Sequence, residues 1–258
     1  CQNWVEAHPD LEENAEALAA AVLDHSNHHV KSEMGRNPLM LTILAQIWRE
    51  APDRTLPQRR ATLYSAAAKQ VFDQRQDGWG RLGEQLGNDL ADVMQRLTAS
   101  IAFRLHAHAD YIADLVDEET LQEWLVEAIQ SEPALQRQPR HPNDLAEEVL
   151  EAARQLSGFL VPRGHELYGF LHRQFQEYFA AIQLLGECKA TKEWSPIWAR
   201  IDQPAWYEVL LIAVGLLAGD DRQQLRRNHK GGQFLTALLD HEAADPTGYG
   251  RIVRDADG

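Results

Sequence analysis

The sequence predicts a mainly α-helical protein: a helical bundle, then a second helical unit carrying one short β-hairpin, then a further helical domain. Three observations point there. Apolar residues recur at steps of three and four through most of the 258 residues, the period of an amphipathic helix rather than of a strand. Prolines 38, 57, 196 and 204 punctuate those stretches. A single pair of short apolar runs, residues 159–161 and 167–170, flanks the turn-forming Pro162, Arg163, Gly164, His165 and Glu166, which reads as a hairpin.

In order, Asp10 and Glu13 make a capping-box-like start after Pro9, and Leu11, Ala15, Leu18, Ala19, Val22 and Leu23 share one helical face. Asn37 and Pro38 form an N-cap and a first-turn proline, a place where proline's missing amide hydrogen costs nothing. A mostly buried helix follows over 39–48. The turn 51–56 ends at Pro57, read as a second first-turn proline ahead of the stripe Leu63, Tyr64, Ala67, Ala68, Val71 and Phe72. These helices make a first bundle, residues 1–75.

Residues 73–87 hold four glycines and many polar side chains, and read as a connector. After it come three helical stripes. The first is Leu86, Leu90, Val93, Leu97, Ile101 and Leu105. The second starts at cap Asp117 and buries Leu121, Trp124, Leu125 and Ile129. The third starts at cap Asn143, buries Leu145, Val149, Leu150 and Leu156, and stops at Gly158. Three helices followed by the hairpin is the order of a winged helix, assigned to residues 76–187. Phe175, Tyr178, Phe179, Ile182 and Leu185 then form a stripe read as core packing. Further helices over 194–219 and 234–239 make a helical domain, or the start of an α-solenoid, at 188–258, with a frayed tail past His241.

Composition narrows the functional classes. With 25 Lys and Arg against 39 Asp and Glu the net charge is −14, which argues against nucleic-acid or anionic-membrane partners held by bulk electrostatics. The 95–185 stretch has seven Arg, no Lys and fourteen Asp or Glu, so a DNA-binding regulator is disfavoured although the fold order permits one. The basic stripe Arg222, Arg226, Arg227 and Lys230 reads as cations near a helix C-terminus. The longest apolar run, residues 209–218, is about half of the ~20 residues that span a bilayer. Cys1 and Cys188 give no disulfide framework, so a reducing cytoplasm is the expected compartment. A chain that opens on Cys1, with no leader pattern, reads as a piece of a longer protein.

Two stretches are more specific than periodicity. One is residues 37–42 (Asn-Pro-Leu-Met-Leu-Thr) with residues 56–64 (Leu-Pro-Gln-Arg-Arg-Ala-Thr-Leu-Tyr); the other is residues 168–181, Tyr-Gly-Phe-Leu-His-Arg-Gln-Phe-Gln-Glu-Tyr-Phe-Ala-Ala. Both resemble the C-terminal half of NACHT modules, the signalling ATPases of the STAND class found in bacterial defence proteins and animal NOD-like receptors. Residues 204–211 resemble the helical region that follows such modules, so the likeness extends over roughly residues 1–220.

The resemblance implies a helical domain containing Pro38, a winged-helix domain containing His172, and a helical domain leading to a ligand-sensing array. It implies that Pro38 packs against adenine, and that His172 contacts the terminal phosphate of bound ADP and holds a closed state. ADP or ATP with magnesium would then belong to the parent protein, with no tight nucleotide binding by this piece alone. The implied partners are an upstream nucleotide-binding domain of the same chain, a trigger ligand, and further copies on activation; no nucleic acid and no membrane is implied. One departure is Arg36, where the family commonly has glycine two residues before the proline.

Chemistry is otherwise sparse. A phosphate-cradling loop needs glycines ahead of Gly-Lys-Ser/Thr, and the chain contains no Gly-Lys pair. The run 209–218 before Asp220 and Asp221 superficially resembles a magnesium-organising strand, but it is Leu- and Ala-rich and continues a helical pattern. His25, His28 and His29 with His106 and His108 lack an accompanying metal motif and read as solvated helix faces. No nucleophile elbow or Cys/His pair suggests hydrolysis, so catalysis is expected elsewhere in the parent protein, with a helical scaffold as the rival reading.

Overall fold

A computed structural model describes residues 15–28, 38–57, 59–73, 80–108, 114–137, 139–156, 159–164, 166–191 and 193–218. They fall into two compact units, one up to Gln70 and one from Val71 onward. The expected start at Asp10, Asn37, Gly158, the stripe Arg222 to Lys230, the helix 234–239 and the tail lie outside the described residues.

In the first unit, α1 (Ala15–His28) buries Leu18 and Val22, while Ala19 on the expected stripe is exposed. Helix α2 (Pro38–Glu50) begins at the expected proline and buries Met40, Ile43, Leu44, Ala45, Ile47 and Trp48. Helix α3 (Arg60–Asp73) buries Leu63, Tyr64, Ala67 and Ala68. Pro57 is not in its first turn. The first intrahelical bond runs from the Leu63 N–H to the Arg59 carbonyl, so Arg59 is the cap and Pro57 lies in the preceding loop. That loop is fixed by Arg54 at φ +51°, whose guanidinium lies 5.2 Å from the Trp48 ring.

The second unit opens with α4 (Gly80–Leu86), inside the stretch read as a connector. Leu82 and Leu86, one turn apart, are both buried, and the Leu82 N–H donates to Glu148 Oε1 at 3.0 Å. A carboxylate 66 residues away thus satisfies an amide that the helix end leaves open, a partner no local reading reveals. A 3₁₀ turn (Gly87–Asp89) leads into α5 (Leu90–Ala107), whose stripe Leu90, Val93, Leu97, Ile101 and Leu105 is buried as expected.

Helix α6 (Glu118–Ser131) is capped by Asp117, whose carboxylate accepts from the Thr120 N–H at 2.8 Å. A short α7 (Pro133–Gln136) follows; the Glu132 carboxylate before it is buried and forked by Arg96 at 2.7 and 3.0 Å. Helix α8 (Pro142–Leu156) starts two residues earlier than the predicted cap implies. The Leu145 N–H donates to the His141 carbonyl, and His141 Nδ1 accepts from the Asn143 N–H, so His141 rather than Asn143 is the cap.

The predicted hairpin forms as β2 (Leu160–Pro162) and β3 (Leu167–Phe170). It acquires a third strand that the sequence did not announce, β1 (Leu115–Asp117), giving an antiparallel sheet of order β1-β3-β2 with Leu115 opposite Gly169 and Leu160 opposite Phe170. Three residues are too few to show alternation, so only pairing with β3 defines β1. Pro162 sits on edge strand β2, where its missing N–H leaves no ladder bond unmade.

At Gly169 the β1 side crowds β3. A Cβ there would stand 2.6 Å from Leu115 Cδ2 and 3.0 Å from the Asp114 carbonyl oxygen. Gly169→Ala is therefore expected to displace β1 and lower stability by about 1–3 kcal/mol. Thermal unfolding measures it; an unchanged midpoint would mean that β1 yields freely.

Helix α9 (Arg173–Thr191) is the axis of the unit, packed on α5 and on α11 (Tyr207–Ala218), and it runs unbroken through residue 187. Phe175, Tyr178 and Phe179 are buried as expected, with Phe179 ringed by Phe72, Phe159, Phe170 and Tyr178 at centroid distances of 4.8–6.2 Å. Between α9 and α11 lie α10 (Ser195–Trp198) and a 3₁₀ turn (Pro204–Trp206), each starting near its proline. The apolar run 209–217 is helical, which excludes the strand reading.

His106 is a correction to the solvated-face reading. It is 4% exposed, its Nε2 lies 2.8 Å from the Ala205 carbonyl, and its ring meets Trp206 edge-on at 4.7 Å. A carbonyl only accepts, so the proton sits on Nε2 and leaves Nδ1 buried without a partner. Among the described residues no cluster of three metal-ligating side chains occurs, and no helix is long and apolar enough to cross a membrane.

Candidate functional site

The site is built where β3 hands over to α9. The Leu171 N–H donates to the Phe159 carbonyl at 2.7 Å, which ends the sheet, and the His172 carbonyl then accepts from the N–H groups of Phe175 and Gln176. His172 is thus the N-cap of a 19-residue helix, half-buried, at the end where amide dipoles favour a negative charge. Its backbone carbonyl is the acceptor that starts the helix.

Arg163 approaches from the hairpin. Its N–H and the Leu167 carbonyl close the turn at 2.7 Å, and its Nη2 donates to the carbonyls of Phe170 and Leu171 at 2.9 and 3.1 Å. Burial, and then the Arg163 charge, hold the His172 imidazole below the usual histidine range, so it is a neutral donor and acceptor at pH 7. The next residue, Arg173, donates to Glu177 at 3.0 Å and to Asp114 at 3.3 Å, tying α9 to the residue before β1. Gln176 is 1% exposed with neither amide atom hydrogen-bonded, each a cost of about 1–3 kcal/mol.

Of the two residues expected to meet nucleotide, His172 lies in the second unit and Pro38 is the first residue of α2 in the first, where its side chain is outside the described set. Arg36 also lies outside the described residues. Sequence reasoning missed Arg163 because its partners are backbone carbonyls, which leave no mark in residue spacing. The only signal was its place beside Pro162 and Gly164 in the turn.

The helix order α5, α6, α8 followed by a β-wing is that of a winged helix. Residues 39–184 match the family described as the winged helix-turn-helix domain C-terminal to NACHT. The chain belongs to this family. Neither the curated proteins nor the solved structures compared with it gave a match. The matched NACHT-associated domain is a neighbour of the catalytic module rather than the module itself. At this site the imidazole lies beside Arg163 and at the positive end of the helix dipole, a setting that favours an anion.

Two imidazoles of this domain make its stability pH-dependent. Burial chiefly lowers His106, partly opposed by its bond to Ala205, and His172 is lowered as described. Just below the unfolded value of about 6.5 the unfolded chain therefore binds more protons than the folded one. Their contribution is full above pH 6.5 and is lost as the pH falls from there toward the folded values. Urea midpoints are expected to drop between pH 7.5 and 5.5, and less so in His106→Gln, which can still donate to Ala205. A flat wild-type profile would contradict the buried neutral imidazoles.

Proposed function

We propose that the chain is the regulatory switch portion of a NACHT-type signalling ATPase, sensing ADP or ATP in a nucleotide domain N-terminal to it and controlling oligomerisation in bacterial defence or signal transduction in the cytoplasm. The observation that carries this reading is His172: a neutral imidazole at the N-cap of a long helix, with Arg163 beside it, in a domain whose family adjoins NACHT. Those groups suit a phosphate, because the imidazole and the helix end offer donors and partial positive charge.

In this reading ADP with magnesium resides in the NACHT module and supplies the phosphate that His172 grips. The chain's own part is to donate that hydrogen bond and so hold the winged helix against the nucleotide domain. On exchange for ATP the grip is lost, the domain swings away, and surfaces for self-association become free. Pro38 would pack against adenine. A trigger ligand would act by favouring the released state.

The DNA-binding alternative is disfavoured by α8, the helix that would enter a groove. Asp144, Glu147 and Glu151 are exposed on it, and Glu148 is engaged with Leu82 and Arg140. The test is ADP retention by the chain joined to its NACHT module, with and without the His172 imidazole. Loss of ADP on truncation supports the switch; unaltered retention favours a helical scaffold without nucleotide dependence.

A further inference from the structure

The wing and the latch histidine are mechanically joined. Arg163 stands at the end of β2 and reaches across the hairpin to the carbonyls of Phe170 and Leu171, the two residues immediately before His172. Both carbonyls belong to the turn where β3 ends, so the guanidinium clamps the backbone that aims the imidazole. Both bonds come from the one terminal nitrogen, Nη2, whose two N–H groups are held in the guanidinium plane.

We infer that Arg163 is a positioning residue for His172: its Nη2, bonded to both the Phe170 and the Leu171 carbonyl, fixes the turn that presents the imidazole. Its consequence for nucleotide rests on the reading that His172 meets a phosphate; the positioning itself does not. The proximity is electrostatic as well as mechanical. The charged groups on the elements around His172 are Arg163 and Glu166 on the hairpin, Arg173 and Glu177 on α9, and Asp114 before β1. Arg173 is engaged with Glu177 and Asp114, whereas Arg163 is the cation whose field reaches the imidazole and disfavours its protonation. Because Arg163 is itself exposed, the wing offers an external handle on a half-buried histidine.

The first arm is an NMR titration of His172 in the 258-residue chain and in Arg163→Met. His172 should titrate below the usual imidazole range in the wild type and move up toward it in the variant. If Arg163→Met does not fold, Arg163→Gln, which can still donate to one carbonyl, is judged by the same criterion. An unmoved titration point overturns the proposal, because a merely structural arginine would change stability without changing it.

The second arm uses the chain joined to its NACHT module and follows ADP dissociation. Arg163→Met should speed it roughly threefold or more, and should add nothing when His172 is already alanine, the signature of two residues acting as one. Equal acceleration in both backgrounds would overturn positioning in favour of a direct contact. If His172→Ala alone leaves ADP release unchanged, the phosphate reading fails, while the titration arm still decides whether Arg163 acts on His172.

Discussion

His172→Ala, in the chain joined to its NACHT module, is expected to shift the resting population toward the open form by roughly tenfold to hundredfold. The figure follows from a hydrogen bond to a charged group, worth about 1.5–3 kcal/mol, lost from the closed state alone. The helix is started by the His172 carbonyl, which alanine retains, so α9 keeps its first acceptor and only the imidazole is removed. Basal oligomer formation should therefore rise while the melting temperature stays near normal. A histidine serving the core would behave in the opposite way, with poor folding and no basal signal. A soluble variant that retains ADP normally and stays silent until triggered would remove His172 from the mechanism.

Phe179→Ala is expected to have the largest effect on stability, about 3–5 kcal/mol. Phe179 is 0% exposed, and its ring touches four other aromatic rings. Phe159 and Phe170 come from the hairpin, Tyr178 from α9 and Phe72 from the end of α3. Removing it opens a cavity where three elements meet, and ringed neighbours held by their own backbones cannot collapse into it. Against a typical total of about 5–15 kcal/mol the loss is large, and Phe179→Leu, which keeps most of the volume, should lose clearly less. Urea unfolding separates the two; a loss below about 1.5 kcal/mol for alanine would mean the cluster repacks. Because the same cluster backs the strand that leads to His172, a weakened Phe179 should also loosen the turn before α9.

The sequence alone determined the longer helices and their order. Stripes such as Leu90, Val93, Leu97, Ile101 and Leu105 are legible because a helix repeats every 3.6 residues, and burying that face is what drives it to form. The Asp117 cap and the hairpin were legible for the same reason: their partners lie a few residues away in the chain. His172 was visible through its motif.

Other features were decided only when distant segments met. The third strand exists because Leu115 lies against Gly169, and α4 is anchored because Glu148 reaches Leu82. His106 left the solvated face because the turn at Ala205 and Trp206 folded over it. Arg163 found its role through two backbone carbonyls, which every residue carries and no spacing encodes. Local periodicity records what a residue does with its neighbours in sequence; burial, protonation and the aim of a side chain depend on neighbours in space, and those are set by the fold.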